Sequence, residues 1–169
     1  NETPMLQSRI HSIVLNPPWN VPAGIAAKEL FPKGAAYLAR NNYKIIGTGA
    51  GRRLQQQPSP KSALGLYKFD FDNPYAVYLH DTPSQSTFSS FSRLASHGCV
   101  RLEKPGPLAQ LLLRNDPNWQ PDQIQDALGK GKTLRVQLQP QDQVQVYLLY
   151  WTAFASANGT MNFRGDPYG

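Results

Sequence analysis

The chain has 169 residues, a net charge of +6, a pI near 9.6, 40% hydrophobic residues and eighteen aromatics. That is enough for one domain with its own core, and no apolar run approaches the ~20 residues of a membrane-spanning helix. Its single cysteine, Cys99, excludes an internal disulfide and a cysteine-rich zinc site.

The positive charge points to an anionic partner. Nucleic acid is not that partner, because the basic residues are scattered, with Arg52-Arg53 the only adjacent pair, and no basic helix, finger spacing or basic-aromatic run accompanies them. An anionic glycan polymer fits the charge equally well. Asn1-Glu2-Thr3-Pro4 is neither a charged nor an apolar leader, so no signal peptide is read here.

Fifteen prolines, about twice the usual share, predict long ordered loops in place of a helical bundle. Residues 9–15 read as a strand rich in β-branched side chains. Pro17, Pro18 and Pro22 then forbid a ladder and force an extended loop. Within it, Trp19 reads first as a plug in the core and second as a ligand-facing aromatic. Two short helices follow, at 24–30 and 33–41, then a strand at 43–46. The glycine-rich turn 47–51 lacks the Gly-Lys-Ser/Thr that a phosphate loop needs.

An edge strand is predicted at 53–57, and a longer one at 63–71 with bulky residues on both faces, hence buried on two sides or bulged at Gly65. A turn at 72–74 leads into a strand at 75–79, so that a hairpin delivers His80 to a strand end. Residues 82–95 form a loop. Helices are predicted at 108–114 and 121–128, the second opened by Pro121 and stopped by Gly129. A half-buried strand at 133–138 and a long strand at 144–155 come next. Asn158-Gly159 signals a hairpin with the return at 161–164. No repeat or domain linker interrupts the chain.

Chemistry concentrates in Tyr78-Leu79-His80-Asp81-Thr82 and Ser96-His97-Gly98-Cys99-Val100-Arg101, which hold the only cysteine and two of the three histidines. A thiol becomes a good nucleophile when an imidazole takes its proton. Gly98 removes a side chain beside the thiol, and backbone N–H groups at such a turn suit an oxyanion, worth roughly 3–4 kcal/mol per donor. Together these describe acyl transfer through a thioester. Two other readings remain: Cys99 as a small buried hydrophobe, and a metal held by His80, His97 and Cys99. The third histidine, His11, reads as a surface or strand residue.

His80, a gap of fifteen residues and then Ser96-His97-Gly98-Cys99-Val100-Arg101 resemble the signature of the YkuD-type L,D-transpeptidases. Residues 16–22, Ala63-Leu64-Gly65, 78–83 and Tyr150-Trp151-Thr152-Ala153-Phe154 resemble the YcbB-like proteobacterial branch. The resemblance implies a mainly β fold with peripheral helices, built of sandwich-like mixed sheets. Residues 1–169 then form a single catalytic domain, with a small capping insert at about 16–51.

It also implies a periplasmic, exported cell-wall enzyme without cofactor or metal. Its thiolate attacks the meso-diaminopimelate carbonyl of one peptidoglycan stem, expels D-alanine, and passes the acyl group to an amine on a second stem. By the same resemblance Cys99 is the nucleophile, His80 the base oriented by the Asp81 carbonyl, and His97, Gly98 and Cys99 the oxyanion segment supported by Ser96. Tyr78 and Trp19 line the cleft, and Arg101 holds a substrate carboxylate or organises the site. Carbapenems are expected as covalent inhibitors. The alternatives are an L,D-carboxypeptidase, a hydrolase that releases wall-linked protein, or a non-catalytic wall-binding module. Pro58-Ser59-Pro60-Lys61-Ser62 and the short segment 47–52 depart from the branch, which bears on the choice of acceptor.

Overall fold

The computed structural model of the chain describes residues 4–90, 96, 98–166 and 168. Strand β1 (Leu6–Leu15) opens the fold, and β2 (Trp19–Asn20) leads into a cap of α1 (Ala23–Ile25), a π-turn at Ala26–Leu30, α2 (Ala35–Arg40), β3 (Tyr43–Ile46) and β4 (Arg53–Gln56). Strands β5 (Tyr67–Phe71), β6 (Leu79–His80) and β7 (Val100–Arg101) follow, then helices α3 (Pro105–Leu112) and α4 (Pro121–Gly129). The chain finishes with β8 (Leu134–Gln137), β9 (Gln145–Leu148) and the hairpin β10 (Ala153–Ala155) and β11 (Met161–Phe163). Among the described residues no helix is long and apolar enough to cross a membrane.

The main sheet runs β7-β6-β5-β1-β8, with β9 on the first half of β1. It is mixed, because β6 and β7 are parallel while the other pairs are antiparallel. Alternation along each strand gives the sheet two chemically different faces. Ile13, Leu15, Tyr67, Phe69, Phe71, Leu79 and Val136 turn to one side, where Ala109, Leu112, Leu113, Ile124 and Ala127 of the α3 and α4 region complete the core. The other face carries a charged network: Asp70 lies 2.8 Å from both Lys68 and Arg135, and Arg135 donates to Ser12, itself wholly buried.

The cap has its own three-stranded sheet, β2-β4-β3, and a separate apolar cluster of Val21, Ala26, Leu30 and Leu54. Two readings of this region need correction. Arg53–Gln56 is a central strand, not an edge, because Trp19 and Asn20 pair with Gln56 and Gln55. The prolines therefore flank a short ladder and do not abolish it. The cap sheet runs to Gln56.

Further along, the strand expected at 63–71 begins only at Tyr67, and its bulk lies on one face. Leu64 and Leu66 belong to the turn before it, where Gly65 takes φ +56°. The strand expected at 75–79 survives only as Leu79–His80. The Asn73 amide donates to Phe71 and Val77 carbonyls while its oxygen accepts from Tyr75 and Val77 N–H groups, so a side chain captures the backbone that a ladder would use. Likewise the stretch 144–155 divides into β9 and β10. The hairpin at Asn158-Gly159 forms, with Gly159 at φ +81°, and α4 opens at Pro121 as expected, but it runs through Gly129 and ends at Lys130, before the left-handed Gly131 at φ +65°.

Candidate active site

Two i, i+2 pairs build the site. Tyr78 and His80 flank Leu79 of β6, and Cys99 and Arg101 flank Val100 of the neighbouring β7. Leu79 and Val100 are register partners, as are His80 and Arg101, and Lys68 of β5 stands opposite His80. Leu79 points into the core, so Tyr78, His80, Cys99 and Arg101 are all placed on the opposite face of the sheet. The Val100 N–H donates to the Tyr78 carbonyl at 3.2 Å and the Leu102 N–H to the His80 carbonyl at 2.8 Å, which lock the two strand ends together.

His80 is buried, and its Nδ1 lies 2.5 Å from the Asp81 carbonyl. A carbonyl only accepts, so Nδ1 carries the proton and Nε2 keeps a lone pair for an incoming proton. Burial pushes the His80 pKa below its usual 6.5; the Asp81 carbonyl opposes this, and the Arg101 and Lys68 charges push it lower still. The imidazole is thus neutral near pH 7 and able to act as a base.

Cys99 is half-buried. Burial, followed by the nearness of Cys99, raises the Tyr78 phenol pKa well above 10, so this group keeps its proton beside the sulfur. The Tyr78 ring sits edge-on to His80 at 5.8 Å, with the Lys68 ammonium 4.4 Å from its centre. Sequence reasoning assigned Tyr78 to the wall of the cleft; its nearness to the thiol was not foreseen, because it depends on β6 lying beside β7.

The turn before Cys99 is tied by Ser96, whose hydroxyl donates to the Cys99 carbonyl at 2.7 Å and accepts the Gly98 N–H at 3.2 Å. The Gly98 N–H expected at an oxyanion is therefore engaged by Ser96. Among the described residues the Cys99 N–H makes no hydrogen bond. Gly98 has φ +139° and open space where a Cβ would stand, leaving an approach to the sulfur. His97 lies outside the described residues.

Asp81 does more than offer its carbonyl. Its carboxylate accepts the Leu66 N–H at 2.8 Å and the Thr82 N–H at 2.7 Å, and its own N–H donates to the Tyr67 carbonyl at 2.9 Å. The Gly65 turn packs so closely on this carboxylate that a Cβ there would overlap it. Asp81 thus fastens the 62–66 turn to the strand end that holds His80.

Above these groups lies a cleft of about 570 Å³, with Cys99, His80, Tyr78 and Arg101 on one side and Trp19, Pro22, Ile25 and Lys28 of the cap on the other. Trp19 joins both of its predicted environments, packing on the cap cluster and lining the cleft. Arg101 has no ion-pair partner among the described residues, and its Nε is buried without a hydrogen-bond acceptor. Such a guanidinium suits a carboxylate brought in from outside. Lys28, Tyr75 and Leu64 also line the cleft; no local signal marks them, since only the folding of the cap over the sheet brings them there. His11 lies on β1 beside Asp72, at 3.4 Å, away from this group.

The model of the YkuD family, described as the L,D-transpeptidase catalytic domain, matches residues 1–137. A Haemophilus influenzae protein named "Putative L,D-transpeptidase" is 33% identical over 187 aligned positions, which take in 99% of this chain and 37% of that protein. The chain spans little more than a third of the length of the curated relative it matches.

Proposed function

The chain belongs to the YkuD family of L,D-transpeptidase catalytic domains, and from that premise we propose that it cross-links peptidoglycan stems through a Cys99 thioester. The observation that carries the reading is the placement on one face, beneath a cleft, of Cys99, the Nε2 lone pair of His80 and Arg101, which has no ion-pair partner among the described residues. His80 takes the thiol proton, and the thiolate attacks the meso-diaminopimelate carbonyl of a tetrapeptide stem. The oxyanion meets the Cys99 N–H. As the C–N bond to D-alanine breaks, His80 returns the proton to the departing amine.

An acceptor amine then attacks the thioester, loses its proton to His80, and the thiol re-forms. Arg101 holds a stem carboxylate, and Trp19 closes the far wall. The default product joins two diaminopimelate residues, with a link to the first residue of the acceptor stem as the variant. Such a reaction belongs on the periplasmic side of the cell envelope. Carbapenems, which present a strained acyl group, react at the same sulfur.

Incubation with a disaccharide tetrapeptide and mass spectrometry of the products tests this. A dimer formed with loss of D-alanine is expected. Tripeptide alone makes the protein a hydrolase on the same thioester, and unchanged substrate overturns both. Cys99→Ala is expected to abolish product and the carbapenem adduct in the intact mass while leaving the fold unchanged; an adduct on that variant places the nucleophile elsewhere.

A further inference from the structure

The chain's positive charge is not spread evenly. Between residues 16 and 57 lie Lys28, Lys33, Arg40, Lys44, Arg52 and Arg53 against the single carboxylate of Glu29, a net +5 of the chain's +6. All six cations are exposed, and the ion pairs formed among the described residues involve none of them. Like charges gathered on a small unit repel one another and work against its compactness. The cap's own stability comes from Val21, Ala26, Leu30 and Leu54, so the charge answers no folding need.

Two of the cations have local occupations: Lys33 sits 4.8 Å over the Tyr37 ring, and Arg40 closes the last turn of α2. The remainder point to a surface. In the cap sheet Lys44 pairs with Gln55, and Asn20 pairs with Gln55 from the other side. Arg53 is two residues before Gln55, so Lys44, Gln55, Asn20 and Arg53 share the sheet face opposite buried Leu54 and Gln56. The Gln55 amide donates to the Asn20 side-chain oxygen at 2.8 Å, which orders this polar row. Arg52 stands just before β4 at the end of this row, where with Arg53 it lines a small pocket beside Leu54, and Lys28 stands at the cleft.

We propose that this outer face of the cap, Lys44 and Arg53 with the Asn20–Gln55 amides and with Arg52 at its edge, is an exosite for a carboxylate-bearing glycan–peptide polymer. The inference rests on the substrate reading above. A stem in the cleft is attached to a strand whose other stems carry free carboxylates, and amides beside guanidinium and ammonium groups suit both carboxylates and sugar hydroxyls. The exosite holds the strand while the cleft works on one stem.

The test is co-sedimentation of the wild-type chain and the Lys44→Gln/Arg52→Gln/Arg53→Gln variant with purified peptidoglycan sacculi at rising salt, beside turnover of a soluble disaccharide tetrapeptide. The variant is expected to lose at least tenfold in sacculus binding and most of the salt dependence, with a melting temperature no lower than that of the wild type and unchanged soluble turnover. Equal binding by both proteins overturns the proposal. So does tighter retention of the wild type on anionic phosphatidylglycerol vesicles than on sacculi, which makes a membrane surface the partner. Sedimentation needs no turnover, so absence of any product refutes the transpeptidase reading while leaving the binding result legible.

Discussion

His80 gains its basicity from a balance in which burial and two neighbouring cations outweigh one carbonyl. The folded chain therefore takes up this proton at a lower pH than the unfolded chain does, whose histidine titrates at about 6.5. Two outcomes follow from that sign. The acid limb of the acylation rate, measured at saturating substrate, should have its midpoint below 6.5, and Arg101→Gln should move it upward by removing one of the cations. Stability contributed by neutral His80 should be whole above about pH 6.5 and decline as pH falls through the lowered value; thermal melts at pH 7.5 and 5.5 read this. Gly65 is the other residue whose identity the site dictates. Gly65→Ala places a methyl in the Asp81 carboxylate at a left-handed φ, which costs about 1–2 kcal/mol in backbone strain. Displacing a charged acceptor from two N–H groups adds about as much again. A melting temperature within 2 °C of wild type, with an unchanged acylation rate, would show that the turn does not fasten His80.

Asn16 shows how elements are joined. At the end of β1 it adopts φ +49°, and its amide nitrogen lies 3.2, 3.2 and 3.3 Å from the carbonyls of Ala127 and Leu128 in the last turn of α4 and of Lys132 just beyond it. Asn16→Ala should cost about 1–3 kcal/mol, since it leaves the buried Ala127 carbonyl without its side-chain donor; denaturant unfolding measures it, and a loss below 0.5 kcal/mol counts against the link. What was legible in the chain follows the same division between local and distant causes. Pro121 opens α4, Asn158-Gly159 turns the last hairpin, β-branched enrichment marks β1 and alternation marks β8, because each signal is contained in the segment it shapes. The central position of Arg53–Gln56 was not legible, since it depends on Trp19 and Asn20 more than thirty residues earlier. Residues 75–78 have the composition of a strand, yet Asn73 and the left-handed Ala76 hold them in a loop. At the site, the motif gave Cys99 and His80 directly. The nearness of Tyr78 to Cys99 required the parallel pairing of β6 with β7, whereas the engagement of Gly98 by Ser96 is a local turn contact that no motif marks.

At the scale of the molecule, two apolar clusters divide the work. The larger one, between the main sheet and α3–α4, fixes the strand ends that hold Tyr78, His80, Cys99 and Arg101. The smaller one holds only the cap, and through it the position of Trp19 and the far wall of the cleft. Equivalent truncations in the two should therefore have different consequences. Leu112 and Leu54 are 1% and 2% exposed, and either change to alanine removes about 2–5 kcal/mol of packing. Leu112→Ala should lower the global melting temperature by roughly 10 °C, at about 2–4 °C per kcal/mol for a chain of this size. Leu54→Ala should leave the main transition nearly in place. Instead it should speed amide hydrogen exchange across residues 19–56 while β1, β5 and β6 stay protected, because the opening is local. Acylation should weaken chiefly through KM, since the thiol and its base keep their geometry while the opposite wall loosens. If Leu54→Ala instead lowers the main transition as far as Leu112→Ala does, the cap and the sheet unfold as one unit. Choice of acceptor could then not be tuned in the cap without loss of the fold.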